Sequence, residues 1–319
     1  MTTPVEVSAE LRPSLAGFGT PPVFTLEGMP AARAASGDFF PSAEQVIGDR
    51  PIDTEDRTIP GPAGEPDITV TILRPRGLTG VVPGLYNIHG GGMMTGHRVM
   101  DTGRLADLVE TLGVVAVNVE YRLAPEHPHP APVEDCYAGL VWMAANAAEL
   151  GVDADRIIIM GGSAGGGLSA GVALLARDRR GPALIGQLLL CPMIDDRNDT
   201  VSSHQYPDSG TWTRQNNDIG WKALLGGAAG TPDASPYAAP LRATDLTGLP
   251  PAYIEVGAAE VFRDENVEYA SRIWAVGGNA ELHVWAGAFH GFDIFAPESI
   301  VARAAIAARE SWFRRILGL

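Results

Sequence analysis

The sequence predicts an α/β fold, a mostly parallel twisted sheet with helices on both faces and a helical cap. Three observations predict it. From Val81 onward, short apolar runs of strand length alternate with segments of helix length, the pattern of a parallel sheet covered on both faces. Turn and cap residues fall between them, with Pro132 at a helix start and Gly113 and Gly151 just past helix ends. Two stretches break the alternation, one before residue 51 and one between Asp195 and Pro236, and these supply the cap.

In chain order, the first stretch carries Pro13, Pro21, Pro22, Pro30 and Pro41 among scattered apolar groups, which suits short helices and extended pieces. Residues 1–50 are therefore read as the N-terminal part of the cap. The turn residues of Thr58–Gly64 lead into Ile68–Leu73, where Ile68, Val70 and Ile72 share one face, so a hairpin is expected. Strands follow at Gly84–Ile88, Val114–Val119, Arg156–Met160, Leu184–Leu190, Ala252–Val256 and Ala280–Trp285. Helices fill the gaps at Thr102–Leu112, Pro132–Leu150, Ala164–Arg177, Arg263–Val276 and Ser299–Ile316. The core is thus divided into 51–195 and 237–319, with 196–236 as a cap insertion holding Tyr206, Trp212 and Trp221.

Composition narrows the function. The chain has 319 residues, 45% apolar and 19% charged, enough to bury a large core and incompatible with intrinsic disorder. A formal charge of −15 repels phosphate backbones and anionic headgroups, so neither nucleic acid nor a membrane surface is an expected partner. Lys222 is the single lysine against 22 arginines, which argues against Schiff-base chemistry and Walker-type nucleotide hydrolysis. Cys136 and Cys191 are too few to staple the chain and read as buried thiols of a reducing compartment. Met1–Glu10 lacks the basic and apolar pattern of a secretory signal, so a cytoplasmic location is expected. The uncharged stretch Ile157–Ala176 has the length of a membrane span, but its six glycines and β-branched start fit a strand, a tight turn and a buried helix better.

The chemistry concentrates at Gly161-Gly162-Ser163-Ala164-Gly165, directly after the strand Arg156–Met160 and at the start of a helix. Small residues on both sides allow a sharp turn that presents the Ser163 hydroxyl, and the helix N-terminus favours negative charge beside it. A bare glycine-rich turn is the bland alternative; a phosphate loop lacks its lysine, and Gly165-x-Gly167-x-x-Ala170 starts too deep in the helix for a dinucleotide fingerprint. Upstream, His89-Gly90-Gly91-Gly92 leaves the strand Tyr86–Ile88, and exposed glycine N–H groups there could bind an oxyanion together with the N–H of Ala164.

Seven histidines offer a base: His89, His97, His127, His129, His204, His283 and His290. In this sheet type the base follows the acid, which follows the serine; His204 precedes the acid strand and His283 lies inside a strand, leaving His290 in the loop Ala288–Phe292. The acid should leave the strand Ala252–Val256. Glu255 is inside that strand, while Asp264 and Glu265 sit in the first turn of the next helix, where acidic residues ordinarily serve that helix's own N-terminus; Glu260 leads. Met93 and Met94, beside the glycine loop, are candidates for an acyl pocket, and Phe18, Phe24, Trp212 and Trp221 for aromatic groups closing the cap, Trp212 as a substrate contact.

With these residues assembled, the chain resembles the hormone-sensitive-lipase family of α/β-hydrolases, a group of bacterial carboxylesterases. The resemblance rests on His89–Gly92, Tyr121-Arg-Leu-Ala-Pro-Glu-His-Pro128, Gly161–Gly166 and Phe289-His-Gly-Phe292, and spans about residues 55 to 318. It implies an α/β-hydrolase core with a helical cap, Ser163 as nucleophile, His290 as base, and Gly91, Gly92 and Ala164 as oxyanion donors. It also implies a homodimer paired through Ala280–Trp285. Two positions depart from the family pattern: Gly162 stands where an aspartate is usual, and Glu260-Val-Phe-Arg-Asp-Glu265 where Asp-Pro-Leu-Arg-Asp-Glu is usual. The expected activity is hydrolysis of short-to-medium acyl esters by a Ser163–His290–Glu260 triad, with no metal and no organic cofactor. An amidase, lactonase or sugar deacetylase would use the same triad, and a non-catalytic small-molecule receptor is the alternative from another class.

Overall fold

The computed structural model describes residues 3–21, 23–37 and 40–319; Met1 and Pro22 lie outside the described residues. Three helices open the chain, α1 (Arg12–Phe18), α2 (Met29–Gly37) and α3 (Ala43–Ile47), before the strands β1 (Ile52–Ile59) and β2 (Ile68–Pro75). They pair antiparallel from Ile52 opposite Pro75 to Ile59 opposite Ile68, which is the hairpin the turn residues predict. The core then runs through β3 (Val82–Ile88), α4 (Thr102–Leu112), β4 (Val115–Glu120), α5 (Ala131–Ala145), α6 (Ala147–Leu150), β5 (Val152–Gly162), α7 (Ala164–Asp178) and β6 (Gly186–Leu190). The insertion contributes α8 (Val201–Gln205) and α9 (Arg214–Leu225), and the chain ends with β7 (Ala252–Gly257), α10 (Arg263–Ala275), β8 (Ala280–Trp285), α11 (Phe292–Phe295) and α12 (Ile300–Leu317).

The single sheet has the order β1-β2-β4-β3-β5-β6-β7-β8. Every pair from β4 to β8 is parallel, and only the first two pairings are antiparallel. Alternate residues of one strand feed opposite faces: Tyr86, Ile157 and Ile159 pack toward α5 and α7, whereas Leu85, Ile158 and Met160 pack toward α4 and α12. That two-sided burial is why the strands read as continuous apolar runs.

Two predicted elements differ from the outcome. The expected helix Pro132–Leu150 divides at Asn146, whose side-chain amide donates to the Trp142 carbonyl 2.8 Å away and competes with the backbone ladder. β5 begins at Val152, earlier than its apolar run, because the polar residues Asp153–Asp155 still lie in extended backbone. Asp264 also departs from expectation. Its carboxylate accepts from the Ser202 N–H at 2.7 Å, so it serves the start of α8 in the insertion instead of its own helix.

The two stretches expected to form the cap meet each other. Val5 donates its N–H to the Tyr206 hydroxyl at 3.0 Å, Phe24 donates to Asn216 at 3.1 Å, and the rings of Phe24 and Trp212 lie 6.0 Å apart. The other aromatics named for the cap have different surroundings: Trp221 is buried in the main core, and Phe18 packs edge-on against Phe295 of α11. Among the described residues, no helix is long and apolar enough to cross a membrane.

Candidate active site

Parallel strands deliver their carboxyl ends to one edge, and β5, β6, β7 and β8 stand side by side there. Gly162 pairs with Leu190, Leu190 with Glu255, and Gly257 with Trp285, so the loops that follow these strands converge.

Ser163 follows β5 with φ +56° and ψ −122°, a left-handed turn that non-glycine residues seldom adopt. Its backbone is held by the N–H donated to Leu190 at 2.8 Å and by its carbonyl, which accepts from Met193 and Gly167 at 3.0 Å each. The close crossing of α7 over β3 explains the small residue two positions on: a Cβ on Gly165 would lie 2.0 Å from the Ile88 carbonyl oxygen. The strain is thus over-determined by its surroundings, as is usual where a turn must present one side chain.

His290 lies five residues past β8, with its Nε2 3.0 Å from the Ser163 hydroxyl oxygen. Its Nδ1 bonds an oxygen of Glu260, which is only 2% exposed and stands three residues past β7. The other Glu260 oxygen accepts the Gly257 N–H at 2.7 Å, so both carboxylate oxygens are engaged. Burial by itself would lower the His290 pKa. Cys191 and Glu260 oppose it, and since burial also pushes the Cys191 thiol upward and keeps it uncharged, the Glu260 carboxylate is the lasting attraction; the imidazole titrates well above its ordinary value.

The glycine loop faces this line. A Cβ on Gly90 would come within 3.4 Å of the Ser163 Cβ, and Gly91 and Gly92 take φ of +120° and +63°, open to glycine and costly for side chains. Neither the Gly91 nor the Gly92 N–H is bonded to another backbone group among the described residues. Beneath the loop, Tyr121 donates to the His89 carbonyl at 3.0 Å, Ala124 donates to the Met93 carbonyl at 2.9 Å, and Arg122 clasps Asp135 at 2.8 and 2.9 Å. The segment Tyr121–Pro128 therefore props the glycine loop from below. Trp212 covers it from above, since a Cβ on Gly92 would sit 2.3 Å from its ring. Met93 and Met94 are fully buried in the main core and expose no surface. Thr211 donates to the His290 carbonyl, tying the insertion to the same loop.

Three features escaped sequence reasoning. Cys191, first residue after β6, lies against His290 and Glu260 because β6 runs between β5, which leads to Ser163, and β7, which leads to Glu260. Glu265 is buried and accepts from the N–H groups of Ile194 and Asp195 at 2.8 and 3.3 Å. Behind His290, Asp293 on α11 pairs with Arg309 at 2.8 Å and Arg104 at 3.3 Å, and Arg309 also pairs with Glu255 inside β7. No local pattern announces these contacts, since each joins residues of different elements.

Residues 85–294 match a family model described as alpha/beta hydrolase fold. The chain belongs to the hormone-sensitive-lipase family of α/β-hydrolases. Over 246 residues it is 37% identical to the carboxylic ester hydrolase LipN of Mycobacterium tuberculosis, covering 76% of this chain and 64% of that protein. It is also 37% identical to the carboxylesterase NlhH of the same organism, covering 76% of each. Among solved structures, a bacterial heroin esterase superimposes with a TM-score of 0.89 at 38% identity, covering 98% of both chains. The esterase LipW from Mycobacterium marinum gives 0.88 at 31% identity, covering 99% of this chain and 98% of that one.

Proposed function

We propose that this α/β-hydrolase is a serine carboxylesterase acting on small esters through an acyl-enzyme. The observation that carries the reading is the continuous hydrogen-bonded line from Glu260 through His290 to Ser163, facing a loop of glycine N–H groups. Ser163 Oγ attacks the acyl carbon while His290 Nε2 takes its proton. The oxyanion is bound by the N–H groups of Gly91, Gly92 and Ala164, and the protonated imidazole then gives its proton to the leaving alkoxide as the C–O bond breaks. Water repeats the attack on the acyl-serine, again with His290 as base, and the carboxylic acid leaves. Glu260 holds the Nδ1–H tautomer and stabilises the imidazolium. The named activities of relatives along most of the chain support the same reaction class.

The cap in this reading comprises residues 1–50 and 196–236, with Trp212 as the wall opposite the glycine loop, and it favours compact acyl groups. Met93 and Met94, being buried, support the loop from beneath. Because β8 ends the sheet with one unpaired edge, the homodimer of this reading forms through Ala280–Trp285; light scattering at several concentrations tests it.

The decisive experiment is a panel of nitrophenyl esters of increasing acyl length combined with covalent labelling. Turnover should fall as the chain lengthens, and an organophosphonate should label Ser163 alone. Absence of turnover on every ester, or labelling at Ser169 or Ser235, would overturn the reading.

A further inference from the structure

The site holds a nucleophilic side chain that the esterase chemistry does not use. Cys191 Sγ, a carboxylate oxygen of Glu260 and a ring nitrogen of His290 all lie within 4.8 Å of one another. Among the described residues no other three His, Cys, Asp or Glu donors converge this closely, although the chain carries 38 acidic residues. The convergence follows from topology, because β6 lies between β5 and β7 and its first following residue is delivered into the gap between their loops. Cys191 is also held in place, with φ +39° and its N–H donated to the Glu255 carbonyl at 2.6 Å. As a residue Cys191 is half-buried, in contrast to the fully buried Cys136.

We propose that Cys191, Glu260 and His290 form an inhibitory site for a soft divalent cation of the zinc group. One thiolate, one imidazole and one carboxylate suit Zn²⁺ or Cd²⁺, with solvent as fourth ligand, whereas the sulfur makes the set unsuited to Mg²⁺ or Ca²⁺. Around a tetrahedral ion with ordinary bond lengths the ligand atoms stand roughly 3.4–3.6 Å apart, so rotation of the Cys191 side chain and a small opening of the His290–Glu260 pair accommodate it. Binding releases the thiol proton and, when Nδ1 is the ligand, the proton that bridges to Glu260. The imidazole and carboxylate are then committed to the ion, and Ser163 loses its base. The cation thus acts as a reversible off-switch built from two triad residues and one that is outside the triad.

The test uses the full-length protein freed of metal with a chelator that is then removed. Zn²⁺ should inhibit nitrophenyl ester hydrolysis, added chelator should restore it, and Mg²⁺ should do nothing. Loss of an outer-shell partner already costs ~10–100-fold in metal affinity, so Cys191→Ser should raise the inhibitory concentration at least that much relative to its own metal-free rate. Cys191→Gly, which suits the left-handed backbone, repeats the test should the serine variant misfold. Titration with Cd²⁺ gives an independent readout: a thiolate–cadmium absorption band in the wild type and none in either variant, whether or not the protein hydrolyses any ester. Equal Zn²⁺ sensitivity of wild type and variants, or no cadmium band in the wild type, would overturn the proposal; loss of ester turnover with the band intact would instead count against the esterase reading.

Discussion

Replacing Glu260 by glutamine isolates what the carboxylate does. In the wild type one oxygen accepts from Gly257 and the other from His290 Nδ1, so both facing groups are donors. An amide offers one acceptor and one donor, and it cannot satisfy both. If its oxygen keeps the Gly257 N–H, its NH₂ faces Nδ1, which must then accept; the ring proton moves to Nε2 and points at Ser163, 3.0 Å away, where a base is needed. The reverse orientation sets the NH₂ against the Gly257 N–H, a buried donor left without an acceptor at a cost of ~1–3 kcal/mol. Restoring the working tautomer by that route therefore costs about 5- to 150-fold. Loss of the charge opposite the imidazolium adds to this, and the comparable aspartate-to-asparagine change in a serine protease reaches ~10⁴, or about 5.4 kcal/mol of barrier. The expected fall in kcat for Glu260→Gln lies between these limits. The pH profile supplies a second reading. A neutral imidazole is the active form, so wild-type kcat/KM should rise with pH through the elevated His290 value, and the rising limb should move to lower pH in the variant because the group that raised it is gone. Asp264→Asn is the control, since Asp264 bonds Ser202 and is expected to change kcat little. A severe loss in Asp264→Asn beside a loss of less than about fivefold in Glu260→Gln would refute the reasoning.

Arg309→Met leaves the buried Glu255 and Asp293 carboxylates without their shared partner, so denaturant unfolding should show a loss of ~3–5 kcal/mol; a change below about 1 kcal/mol would mean the network is internally redundant. Burial, reinforced by the Asp195 charge, holds the Glu265 carboxyl well above its ordinary pKa. A raised value means that the contribution of this group to stability is complete below the unfolded value near ~4.3 and is lost as pH rises toward the folded one. Glu265→Gln keeps an acceptor for Ile194 and Asp195, so its Tm relative to wild type should climb between acid and alkaline buffers, and a pH-independent difference would contradict the assignment. Gly165→Ala places a methyl 2.0 Å from the Ile88 carbonyl and should abolish soluble expression or turnover; near-normal activity would show that α7 can withdraw from β3.

The elements legible in the sequence are those whose signal is local. Apolar runs marked the inner strands because these are buried on both faces, whereas the edge strand β8 is only partly buried, and Gly113 and Gly151 marked helix ends because both take φ near +70° there. Ser163 was legible for the same reason, its strained turn requiring small neighbours within two residues. Glu260 and His290 followed from chain order, each lying in a loop just after a strand of a parallel sheet. Where a side chain finds its partner across the fold, local pattern is silent. Asp264 reads as a helix-terminal acid, yet the register of α8 against α10 gives it Ser202. Trp212 is one aromatic among several until the insertion folds back and sets its ring on Gly92. Cys191 looks like any strand-end thiol, and only the strand order, which puts β6 between the strands that lead to Ser163 and Glu260, brings it to Glu260 and His290. Backbone periodicity and strain are encoded within a few residues of where they act, whereas these contacts depend on which strands become neighbours, and that is decided by burying the whole sheet at once.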